Sequence, residues 1–147
     1  LENEEKKKRY DAESFFYANN RFYIFTKSRK KKNYGKTLLF SVPAIKGNHV
    51  ARYIGSYQFC KKPSCRVTAA AISPNKKQVV LLNHNSVFVF SDFKEDNFFS
   101  GKIKEFSFEF SSQKEGVCFK DSNTLFITDE KKKDGGGNLY SFSLKKN

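Results

Sequence analysis

A chain of 147 residues with 38% hydrophobic content forms one ordinary domain at most. Its apolar content is concentrated in 17 Phe and 7 Tyr, with no Trp or Met; this favours strands over helices, and no apolar run approaches the ~18 residues of a membrane helix. The net charge of +13 invites an acidic partner, but the lysine runs fall between apolar segments, where solvated turns belong, so nucleic acid is not the expected partner. The chain starts at Leu1 and contains no Met, so a processed or truncated piece of a longer protein is expected.

Residues 1–10, LENEEKKKRY, are expected to be the end of a preceding outer strand or a linker. Four strand-forming runs follow: AESFFYA, RFYIFTKS, KTLLFSVP and ARYIGSYQF. Asn19-Asn20, the basic loop RKKKNYG and AIKGNHV connect them, with Asn and Gly tolerating the left-handed backbone that such turns need. Next comes CKKPSC, whose Cys60 and Cys65 could close a short loop in an oxidising compartment, a link that stabilises by ~2 kcal/mol. Metal binding is less favoured, because His49 and His84 are the only histidines and neither sits at ligand spacing.

The second group is VTAAAIS, QVVLLNH, SVFVFSD and IKEFSFEF. Two of its strands are apolar on both faces, and in the fourth Phe106, Phe108 and Phe110 alternate with polar residues, which predicts one buried face. The third group is EGVCFK, TLFITDE and LYSFSL, with Cys118 expected as a buried small hydrophobe. Its loop KKKDGGGN reads as a flexible hairpin turn; it lacks the alternating acidic spacing of a calcium loop.

A shift of 102 positions lays Glu13 on Glu115, Phe15 on Val117, Tyr17 on Phe119 and Thr26 on Thr128. One short sheet is therefore repeated, and a period of about 45–57 residues belongs to β-propeller blades. The expected fold is all-β: a partial β-propeller of about three four-stranded antiparallel blades out of six. Blade one would span residues 11–64, blade two 65–112, and blade three 113–147, the last lacking its outer strand. A β-sandwich is the alternative, but it leaves the in-step repeat unexplained. Fewer than three full blades cannot close a ring, and two open blade faces rich in Phe, Val and Leu would not stay bare in water. The remaining blades are therefore expected as partners, from upstream sequence, another chain or a second copy.

DAESFFYANNRFYIFTK, RVTAAAISPNKKQVVLL and QKEGVCFKDSNTLFITDE with its following GGGNLYSFSL resemble the C-terminal half of bacterial six-bladed propellers of the phytase-like, esterase-like and SdiA-regulated type. The resemblance implies an exported protein, periplasmic or secreted, and places Glu13, Arg66, Thr68, Glu115 and Glu130 near the entrance of a central channel. Ala70 stands where the other two blades have Glu13 and Glu115, so a ring of carboxylates suited to calcium is incomplete. Glu13 and Glu115 could bind a cation or pair with basic residues at a blade junction; Arg66 could clamp an anion or pair with a glutamate. With two histidines and no nucleophile motif, the expected function is a non-enzymatic interaction or structural module. The alternatives are a calcium-dependent hydrolase of phosphoesterase or lactonase type, its remaining site residues lying outside these blades, and an electrostatic binder of polyanions through the lysine loops.

Overall fold

In the computed structural model, which describes residues 2–145, eleven strands form three antiparallel sheets with almost no helix. The first sheet runs in order β1 (Ala12–Ala18), β2 (Arg21–Thr26), β3 (Lys36–Pro43) and β4 (Arg52–Gln58). The second is β5 (Ala69–Ile72), β6 (Gln78–Leu82), β7 (Ser86–Ser91) and β8 (Lys102–Ser107). The third has β9 (Lys114–Asp121), β10 (Thr124–Asp129) and, at its outer edge, β11 (Leu139–Ser143). Each sheet is one continuous stretch of chain in which sequential strands pair. The turn chemistry is local: Asn19 and Asn20, at φ 49° and 57°, join β1 to β2, the left-handed pair that a tight hairpin needs. Gly35, at φ +71°, ends the basic loop where an added Cβ would lie 1.9 Å from the Cys60 carbonyl oxygen. Cys60 and Cys65 are joined as a disulfide with Cα atoms 5.6 Å apart.

The sheets stack face to face, and the middle one is buried on both sides. Along β5, β6 and β7, Ala70, Val79, Leu81, Phe88 and Phe90 meet Phe16, Tyr23, Phe25 and Leu39 of the first sheet. The alternate residues Ala69, Ala71, Val80, Leu82, Val87 and Val89 meet Leu125 and Ile127 of the third. The period of two in side-chain direction thus divides strands that are apolar throughout between two cores. Strand β5 lies against both β1 and β9, and its small AAA run lets the first strands of all three sheets come together at one edge of the stack. Stacked antiparallel sheets of three and four strands are consistent with a partial propeller or a sandwich.

Four sequence expectations change. Residues 2–10 form α1 (Glu2–Tyr10), not the end of a strand. Acidic residues precede Lys7, Lys8 and Arg9 of its last turn, an order that suits the helix dipole without any apolar stripe. Cys118 is exposed, because alternation turns Val117 and Phe119 toward the middle sheet and Cys118 to the other side. The buried Phe face after β8 is only partly covered: Phe106 and Phe108 stack on Phe142 at 5.9 and 5.5 Å, whereas Phe110 is 53% exposed. Finally, the two outer faces of the stack are unlike. That of the first sheet carries the register rows Phe15–Ile24–Phe40–Tyr53 and Tyr17–Phe22–Val42. That of the third carries Cys118–Phe126–Ser141 and Gly116–Thr128–Leu139 and is mostly small or polar.

Truncating the doubly packed layer is costly. Phe90→Ala, at a site 1% exposed, is expected to lower stability by about 3–5 kcal/mol. Phe15→Ala, at 61% exposure, is expected to change it by no more than about 0.5 kcal/mol in the isolated chain. Denaturant titration of the two variants measures both.

Candidate functional site

Glu13 and Glu115 owe their direction to matching defects in the sheets. In β1 the pairing passes from Ala12↔Thr26 to Ser14↔Phe25, leaving Glu13 between them. In β9 it passes from Lys114↔Asp129 to Gly116↔Thr128, leaving Glu115 between them. A bulge re-aims the side chain of its extra residue, and both carboxylates turn into one open cleft of about 600 Å³ at the clustered ends of the inner strands. Strand β5 keeps a regular register through Ala70, so the middle sheet adds no carboxylate there.

Arg66 and Glu130 line the same cleft, so four of the five residues singled out from the sequence are brought together. Thr68 is the exception. It is 2% exposed, and its hydroxyl donates to the Lys114 carbonyl oxygen at 2.7 Å, fastening β5 to β9 instead of facing a ligand. Lys27, Arg29 and His84 also line the cleft and were not singled out. The 102-residue shift that pairs the glutamates lays Lys27 on Asp129, a signal that was present, whereas His84 arrives only through the packing of the sheets.

These groups form a ladder of alternating charge across the three sheets. Arg29 pairs with Asp11 and, through Nη2, with Glu13 Oε1 at 2.8 Å. Glu13 Oε2 pairs with Lys27, whose side chain is only 9% exposed. Lys27 stands 4.0 Å from Glu115, and Glu115 Oε1 lies 3.4 Å from His84 Nε2. The outer rungs are exposed and contribute little each, about 0–1 kcal/mol; Lys27 is the buried link, and removing its partners would strand a charge. Burial pushes the His84 imidazole below its ordinary value of 6.5, against the upward pull of Glu115. Among the described residues Arg66 forms no ion pair with a glutamate. Its Nε donates to the Pro63 carbonyl oxygen at 2.9 Å, and its guanidinium lies 5.5 Å from the Tyr34 ring centroid.

Asp129, also in the lining of the cleft, is a clasp. Its Oδ1 accepts from the Asn138 amide and its Oδ2 from the Tyr140 hydroxyl, each at 2.8 Å. The Asn138 amide is the main reason its carboxyl is held down at about 2. Together with the backbone pair between Lys132 and Gly135, it makes the DGGGN segment a closed hairpin turn.

Calcium does not fit this donor set. Both oxygens of Glu13 are committed to cations, Glu115 stands between Lys27 and His84, and no group of three or more His, Cys, Asp or Glu converges on a common ion position among the described residues.

No protein-family model matches the chain, and no curated protein matches it. Among solved structures, the calcium structure of a Trichoderma reesei carbohydrate-active enzyme of family AA12 superposes with a TM-score of 0.49 and 8% identity, over 91% of this chain and 35% of that one. The chain thus spans about a third of the length of that neighbour.

The His84 environment sets a pH dependence. Its folded proton affinity is lower than that of the unfolded chain, so the unfolded state gains protons first on acidification. The stability is fully present above about pH 6.5 and falls as pH drops through the lower folded value. Thermal melts between about pH 8 and about pH 5 are expected to show this decline in the wild type and a flatter profile in His84→Gln.

Proposed function

We propose that the chain is a portion of a larger β-propeller of six blades, from an exported bacterial protein related to the phytase-like, esterase-like and SdiA-regulated group, and that it serves as a non-enzymatic interaction module. The observation that carries this reading is the outer face of the first sheet. Phe15, Tyr17, Phe22 and Tyr53 are 61%, 54%, 37% and 55% exposed, and the Tyr17 and Phe22 rings sit 5.6 Å apart, as do those of Phe40 and Tyr53. A contiguous aromatic sheet face of this kind marks an interaction surface. Its occupant is a further four-stranded blade of the same ring, because the opposite face of this sheet already packs on the middle sheet in that manner.

The Cys60–Cys65 disulfide supports an oxidising compartment such as the periplasm or the exterior. At the channel mouth, charges of both signs are interleaved and mutually paired, which favours a junction between blades over a calcium-loaded hydrolytic centre or a uniformly basic groove for polyanions.

The isolated chain is therefore expected to self-associate or to bind an apolar fluorescent dye through this face. Light scattering and dye titration read both properties. The double variant Phe15→Ser, Phe22→Ser is expected to lose them while retaining its β-sheet circular dichroism. A monodisperse wild-type monomer that binds no dye would sink the reading.

A further inference from the structure

Lys114 is the one lysine among the largest fully buried side chains of the described residues, 2% exposed. It opens β9, and the bulge at Glu115 turns it inward, to the side of Asp129, its register partner. Its Nζ donates to Ser112 Oγ at 2.8 Å and reaches the Phe110 carbonyl oxygen at 3.4 Å. Rings surround it: the Phe108, Phe110 and Tyr140 centroids lie 4.5, 4.7 and 6.0 Å from Nζ. No carboxylate forms an ion pair with it among the described residues. Asp129, the acid whose charge acts on it, spends its oxygens on Asn138 and Tyr140. Charged or titratable groups face Lys114 from three sides: Asp129 of β10, Tyr140 of β11, and Glu109 of the segment after β8. Burial draws the ammonium below its ordinary proton affinity, with Asp129 opposing.

Beside this amine is a pocket of about 300 Å³ between the end of β8 and strand β11, walled by Phe108, Phe110, Ile127, Tyr140 and Phe142, with Lys114 itself and Glu109 in its lining. The pocket is separate from the charged cleft. Its aromatic walls and single amine are the two parts of a carbonyl-capturing site: aromatic surface to hold an apolar body, and an amine that no carboxylate holds in an ion pair among the described residues, so that it is available as a nucleophile.

We propose that Lys114 is an imine-forming lysine, and that the pocket between β8 and β11 takes a small apolar aldehyde. The ammonium first gives its proton to water. The amine nitrogen then attacks the carbonyl carbon, forming the C–N bond as the C=O π pair moves to oxygen. The carbinolamine leaves as imine when that oxygen departs as water, carrying both amine hydrogens; no oxidant or reductant takes part. Ser112 Oγ, 2.8 Å away, is placed to orient the nitrogen. The inference is independent of what covers the aromatic face of the first sheet.

The test is site-resolved reductive labelling of the folded wild-type chain with benzaldehyde and cyanoborohydride near neutral pH, followed by peptide mapping. Lys114 is expected to be labelled several-fold faster than exposed lysines such as Lys61 and Lys62, with saturation in benzaldehyde. The polar aldehyde glyoxylate is expected to show no such preference. Labelling of Lys114 no faster than Lys61, or only after denaturation, overturns the proposal and leaves Lys114 as a buried structural cation. Lys114→Met is expected to abolish the fast phase alone; should that variant not fold, the wild-type map decides by itself. Phe110→Ala, at a ring 53% exposed, is expected to weaken benzaldehyde saturation while slow surface labelling stays unchanged; an unaltered saturation curve would count against the pocket.

Discussion

Everything in this molecule depends on a pair of adjacent strands that has no solvent face. Strands β6 and β7 bury nearly every side chain, on alternate sides, so the sheet containing them cannot exist without a neighbour on each side. Each such side chain contributes about 1.5–3 kcal/mol relative to exposure, and the sum is realised only when all three sheets stack. The two cores are consequences of one strand pair, and the first and third sheets owe their placement to it.

The clustered inner strands follow from the same layering. Strand β5 reduces its side chains to alanine where it lies against β1 and β9, and Thr68 adds the hydrogen bond that fixes the spacing to β9. Crowding of this kind leaves the bulged residues nowhere to go but outward from the strand ends. That is where Glu13 and Glu115 point, and where Lys27 must lie between them. The charged mouth is thus a product of packing, and its electrostatics are those of a junction: opposite charges satisfied by one another across sheet boundaries.

The outer faces of the stack are treated differently by the sequence. The first sheet turns rows of Phe, Tyr, Ile and Val outward, whereas the third turns out Cys118, Thr128 and Ser141 around Phe126 and Leu139. An apolar surface of the first kind is stable only against another apolar surface; one of the second kind can meet water or a closely approaching backbone. The asymmetry gives the stack a direction.

The sequence by itself determined the strands and their order, because alternation, Asn-Asn and Gly turns and the 102-residue repeat are local properties of the chain. AESFFYA and KTLLFSVP begin and end where β1 and β3 do, and the disulfide loop and the DGGGN turn were legible for the same reason. The repeat also set Glu13 and Glu115 at equivalent positions, and the resemblance grouped Arg66, Thr68 and Glu130 with them. Only the tertiary structure decided that Thr68 is a fastener, that Lys27 and His84 complete the mouth, that Cys118 faces outward, and that Lys114 is enclosed by rings from the segment after β8 and from β11. These depend on which face of one sheet meets which face of the next, and on bulges that shift a side chain by one register step. Periodicity fixes that a side chain alternates; it does not fix what stands on the other side.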